Sequence, residues 1–172
     1  MPLAAAFPDF ILGLHILGAI VGFGGLFVFP LLWSAAARVD PSVTPWVLRI
    51  RKHLGRWLIN PGLTLVVAAG FYLAADEHFF SSFFVAWGIA VAIVLGAVEG
   101  SYMIPRAGRL AVLAERDLAA AEVPAGGVQA GAVRASAPWS PEFVAGARRF
   151  SQLGLLMATL VVITVFLMAT HA

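Results

Sequence analysis

Four long stretches with almost no charge constrain this chain more than any other feature. Between Asp9 and Arg38 lie 28 uncharged residues, between Arg56 and Asp76 there are 19, and between Arg149 and His171 there are 21. A further apolar stretch, from about Phe83 to Ile104, is interrupted by one acid, Glu99. A hydrocarbon core about 30 Å thick is crossed by about 20 helical residues. Each stretch is therefore long enough to span it. Burial inside a soluble protein is the competing explanation, and it fails on mass. Of 172 residues, 61% are hydrophobic and 12% charged, which leaves too little polar material to cover four helices that are apolar all round. The expected fold is all-α: a polytopic membrane protein of one domain, built as an antiparallel four-transmembrane-helix bundle. Its spans lie at approximately 10–33, 57–75, 83–104 and 151–170.

The basic residues set an expected orientation. Arg38, Arg49, Arg51, Lys52 and Arg56 fall in a first loop between the first two spans, and Arg106, Arg109, Arg116, Arg134, Arg148 and Arg149 in the last loop, between the last two; together they are all 11 bases of the chain. The opposite ends carry Asp9, Asp76 and Glu77. Because Lys and Arg are retained on the cytoplasmic side, the chain is expected in a bacterial cytoplasmic (inner) membrane with both termini outside. The first apolar stretch, long and preceded by no Lys or Arg, reads as a retained span. The bases are topology signals against anionic headgroups, so the lipid bilayer is the expected partner and nucleic acid is not. Trp33, Trp46, Trp57 and Trp139 fall near the basic boundary and Trp87 near the other, as interfacial indoles do.

The connection from Asp76 to Ser82 is short, so spans two and three are antiparallel neighbours. The cytoplasmic loop 105–150 is composite. Arg106 to Ala121 is rich in helix formers and is expected to prolong the third helix. The segment 124–141 is rich in Gly, Ala, Ser and Pro and is expected to be flexible. Ser140-Pro141-Glu142 reads as a helix start, with Ser as cap and Pro at the first position, leading directly into span four. No internal repeat is evident.

Two groups of residues are candidates for function. His15, Gly18, Gly22, Gly25 and Phe29 recur at three- and four-residue spacing on one face of the first span. Gly18 and Gly22 form a small-xxx-small pair that either admits a neighbouring helix or makes a shallow groove for a flat cofactor. His15 either hydrogen-bonds a neighbouring helix, ligates haem or a metal, or handles a proton or substrate. His171 and Met168, at the end of span four, are the candidate partners of His15 in a haem or metal site, and His78 is another neighbour. The second group is a polar cluster of Arg56, Asn60, Glu99 and Arg106 toward the basic end, which either locks helices together or passes a proton or substrate. Asn60-Pro61-Gly62 is expected to loosen span two beside it. No cysteine is present, so thiolate metal sites and disulfides are excluded and redox chemistry requires a cofactor. Phosphate loops, nucleophile elbows and zinc-protease signatures are also missing.

Leu14-His15-Ile16-Leu17-Gly18-Ala19, Gly24-Gly25-Leu26, Asn60-Pro61-Gly62-Leu63-Thr64, Gly100-Ser101-Tyr102-Met103-Ile104-Pro105 and Ser151-Gln152-Leu153 together resemble the bacterial integral-membrane family catalogued as domain of unknown function 2269. The resemblance covers nearly all of the chain and implies the four-span architecture without an activity. The first span is also similar to that of four-helix bacterial protoporphyrinogen oxidase, which implies a haem at His15. That enzyme's pattern includes a lysine in a later helix, whereas Lys52 is the sole lysine here. A likeness to copper-resistance membrane domains extends to helical character and the histidine of the first span.

Three functions follow as expectations. The first is a small membrane transport or transport-accessory protein, resting on Glu99, Asn60 and the Pro61-Gly62 break. The second is a haem-associated membrane oxidoreductase or haem-handling protein, resting on His15. The third is a non-catalytic assembly or homeostasis protein, acting as a homo-oligomer or with a membrane partner protein.

Overall fold

The computed structural model describes residues 3–76, 78–122 and 139–171. The described residues are all helical apart from short connections. Helix α1 runs Leu3–Val39, and a short 3-10 turn at Pro41–Val43 leads into α2, Thr44–Leu54. A π-helical turn at Gly55–Ile59 joins α2 without a break to α3, Asn60–Asp76. After a second 3-10 turn, Phe79–Ser81, come α4, Phe83–Val98, a second π turn at Glu99–Met103, and α5, Ile104–Glu122. Helix α6 is Pro141–His171. Four of these runs are long and apolar enough to cross a membrane.

The helices close into a ring in which α1 packs on α3, α3 on α4, α4 on α6 and α6 on α1. Neighbours are antiparallel. His15 and Gly25 of α1 meet Val66 and Ile59 respectively, and Trp87 near the start of α4 bonds Thr164 near the end of α6. The spans turn most of their apolar surface outward. Leu31, Phe83 and Phe166 are 70%, 71% and 68% exposed, which is the surface of a protein that lipid covers.

The closest packing is between α1 and α3, and it uses the glycine stripe. A Cβ on Gly18 would lie 3.1 Å from the Gly62 carbonyl oxygen, one on Gly22 2.9 Å from the Leu63 nitrogen, and one on Gly62 2.6 Å from the Gly22 nitrogen. Backbone meets backbone, so the stripe is filled by α3 and offers no groove. This corrects the cofactor-groove reading of Gly18 and Gly22.

The basic segment between the first two spans is also not a loop. Helix α2 is continuous with α3 through the π turn. Its amphipathic face packs on α5, where Ala107, Ala111 and Ala114 are buried and small enough to let Val47 and Leu48 approach. Helix α5 prolongs the third span, as expected, and α6 enters the fourth span directly from Pro141. The Phe143 N–H donates to the Ser140 hydroxyl at 3.3 Å, the cap that the sequence announces. Asp117 of α5 reinforces this start by accepting from the Ser140 N–H at 2.9 Å and from Arg116 at 3.1 Å. The segment 124–141 lies outside the described residues except at 139–141.

Both π turns have the same local cause. The Asn60 N–H bonds the Gly55 carbonyl five residues back, and the Ile104 N–H bonds the Glu99 carbonyl five residues back. A proline follows each, Pro61 and Pro105. Proline lacks an N–H and its ring crowds the carbonyl four residues earlier. Widening the preceding turn relieves that clash without breaking the helix. The two wide turns pack against each other.

Candidate functional site

The crossing of the π turns holds the most buried charges among the described residues. Glu99 is 0% exposed and Arg51 1%. Arg51 Nη1 donates to Glu99 Oε1 at 2.6 Å and Nη2 to Oε2 at 2.7 Å, a bidentate pair. The rings of Phe29 and Phe150 flank the guanidinium, with centroids 5.3 Å and 6.0 Å from Cζ. Gly55 makes the pair possible. A Cβ there would lie 2.8 Å from Ile104 Cγ1 and 2.9 Å from Arg51 Nη1, and would collide with the Glu99 carboxylate.

Glu99 therefore pairs outside the cluster expected from the sequence. Its partner is Arg51, and neither Arg56 nor Arg106 bonds it. A signal for this was present: Leu48, Arg51, Gly55, Ile59, Leu63 and Val66 follow one another at three- and four-residue steps, and all are buried. Treating 38–56 as a loop hid that stripe. Removing two charges from water is costly, so the pair adds little net stability over apolar residues of the same volume. Removing only one partner strands the other, so the pair fixes how the helices cross.

Arg56, Asn60 and Arg106, the other members of the expected cluster, share a groove of about 1000 Å³ with Lys52 and Arg109. Asn60 reaches toward the second π turn, since a Cβ on Gly100 would lie 3.3 Å from its Nδ2. Arg106 lies over Gly146 of α6, whose Cβ would be 2.9 Å from Nη2. Glu99 does not line this groove.

At the opposite, acidic end, α1, α3, α4 and α6 leave an apolar cavity of about 420 Å³. His15 and Met168 both line it, among Val66, Leu73, Val85 and Ile89. Glycines hold it open. A Cβ on Gly70 would lie 2.9 Å from His15 Cε1, and one on Gly88 would collide with the Met168 methyl. His15 Nδ1 is 3.0 Å from the Val66 carbonyl oxygen. A carbonyl only accepts, so Nδ1 carries the hydrogen and Nε2 of the neutral ring keeps its lone pair. Metal-ligating histidines are oriented by the same kind of bond from the second ring nitrogen.

The remaining candidates separate. The side chain of His171 lies outside the described residues. His78 is exposed, has φ 57°, and bonds the Asp76 carbonyl oxygen at 3.1 Å, away from the lining of the His15 cavity. Among the described residues, no three His, Asp or Glu side chains assemble into a metal-binding group. The residues missed by sequence reasoning are Gly70, Gly88 and Ala92, whose small size makes the cavity. No protein-family model, curated protein or solved structure matches the chain.

Proposed function

We propose that the protein is a haem-associated protein of a bacterial cytoplasmic membrane, carrying or using haem in the cavity beside His15. One observation carries this reading: His15 spends its Nδ1–H on the Val66 carbonyl at 3.0 Å, which leaves Nε2 as a ready ligand on a side chain lining an apolar cavity that Met168 also lines. The donor set suits haem iron, for which imidazole and thioether are both axial ligands. An apolar lining suits a porphyrin face. Haem bound there would supply one-electron chemistry. The chain's own residues fix the imidazole's tautomer and direction, keep charged groups away, and offer the soft sulfur of Met168. The positive-inside rule puts both basic segments in the cytoplasm, both termini outside, and this cavity in the outer half of the membrane.

Transport, the competing reading, needs Glu99 free to exchange a proton or a solute. With both carboxylate oxygens on Arg51, the geometry supports that role less well. The deciding experiment is an absorption spectrum of protein purified gently from haem-replete cells and then titrated with haemin. A saturable Soret band is expected. A folded protein with no such band overturns the proposal.

A further inference from the structure

At the basic end, four acids already have an arginine. Glu99 is held by Arg51, Glu115 by Arg49, and Asp117 and Glu142 by Arg116. Four of the remaining cations converge, while Arg148 and Arg149 lie elsewhere at the same end. Lys52, Arg56, Arg106 and Arg109 line one groove, and among the described residues none of the four forms an ion pair. The one acid on the groove wall, Glu142, faces Arg116 at 3.5 Å. Uncompensated charge of this density, beside apolar spans that exclude water, calls for an anion.

The shape of the groove is as specific as its charge. Its volume is about 1000 Å³, far more than one phosphate group fills. Its walls are rigid helix, from the first π turn and α3 on one side and from the second π turn and α5 on the other. Gly108 lets Lys52 lie across α5, since a Cβ there would be 3.3 Å from Lys52 Cδ. Asn60 adds an amide beside Gly100. Arginines with a lysine and an amide donor form a set suited to phosphate oxygens, the arginines by paired N–H groups and the lysine as a point charge.

We infer that this groove binds an anion carrying two phosphate groups. Two sources share that chemistry, a lipid headgroup with two phosphates and a soluble diphosphate. The groove is independent of the His15 cavity, so the inference stands or falls apart from the haem reading.

The test uses the full chain in neutral detergent and in nanodiscs. Native mass spectrometry measures retention of cardiolipin, which carries two phosphates, against phosphatidylglycerol, which carries one. A parallel titration with inorganic pyrophosphate follows the thermal unfolding midpoint. Arg56→Gln with Arg109→Gln removes two exposed groove cations, and Arg148→Gln with Arg149→Gln removes two exposed bases elsewhere at the same end. The groove variant is expected to weaken binding by about tenfold or more, as loss of charge-assisted contacts does, with the control close to wild type. Preferential retention of cardiolipin without a response to pyrophosphate assigns the lipid source, and a pyrophosphate response assigns the soluble one. Equal weakening by the two variants, or no binding of either probe to wild type, overturns the inference.

Discussion

At the basic end, Arg51 and Glu99 are as deeply buried as any leucine in the protein, whereas at the acidic end His15 is half-buried and makes one hydrogen bond. The first pair is closed around its carboxylate, with Arg51 Nε the one buried donor of the pair left without a partner. Both carboxylate oxygens are taken, both guanidinium Nη atoms are taken, aromatic rings cover the faces, and Gly55 leaves no room beside them. The histidine is open, with one nitrogen engaged and the other available at an apolar cavity. Intramembrane polarity therefore has two meanings here. Where the groups satisfy one another they specify a helix crossing, and where one keeps spare valence beside a cavity it is equipped for a ligand.

The largest expected effect separates these meanings. Arg51→Ala or Glu99→Ala should each cost about 3–5 kcal/mol, because each leaves a buried charge unpaired. Arg51→Met combined with Glu99→Leu should recover most of that loss, because the remaining penalty is only one of packing. Equilibrium unfolding in detergent measures both. Single variants as stable as wild type would show that the pair does not lock the crossing.

Next comes the α1–α3 contact. Gly62→Val should cost about 1–3 kcal/mol or more by overpacking, because the new atoms meet the Gly22 backbone rather than a movable side chain. Gly13→Ala and Gly24→Ala, where a Cβ meets nothing within 4 Å, should be neutral or slightly stabilising. The same unfolding measurement applies, and equal effects at all three positions would discredit the close-approach account.

A smaller stability change is expected at the acidic end, with a larger functional one. His15→Ala removes one hydrogen bond, about 0.5–1.5 kcal/mol, yet should abolish haem binding read by absorption. The smallest effect concerns the pin between α5 and α6, which lies beyond the apolar spans. Hydrogen bonds from Ser140, with a further contribution from Arg116, hold the Asp117 carboxyl below its ordinary value. A depressed carboxylate stabilises the fold above the unfolded pKa, and that contribution is lost as pH falls through the folded one. Protection of the amides at the start of α6, taken relative to their intrinsic exchange rates, should therefore fall in acid, and Asp117→Asn should remove that pH dependence of protection.

Much of the architecture was legible because the membrane imposes a length and a polarity on every span. The four spans, the prolonged third helix and the Ser140-Pro141 start follow from charge-free runs and capping chemistry. Tertiary pairing was harder. Glu99 was visible as an anomaly, but two rules pointed to the wrong partner: Arg106, the nearest base along the chain, and Arg56, beside Asn60 at a comparable depth, looked like its neighbours, and clustered bases looked like a loop. The π turns, each closed by a following proline, were visible only as a kink signal at Asn60-Pro61-Gly62. The cavity beside His15 depends on residues that announce themselves by lacking size, Gly70, Gly88 and Ala92, and absence of a side chain acquires meaning only once the neighbouring helix is in place.

The most direct test titrates haemin into wild type, His15→Ala and Glu99→Gln under identical conditions, with folding checked by circular dichroism. The account predicts a saturable Soret band in wild type and in Glu99→Gln, and its loss in His15→Ala. A band that survives in His15→Ala, or one that disappears with Glu99→Gln while the protein stays folded, would contradict the division between a closed structural pair and an open ligand site.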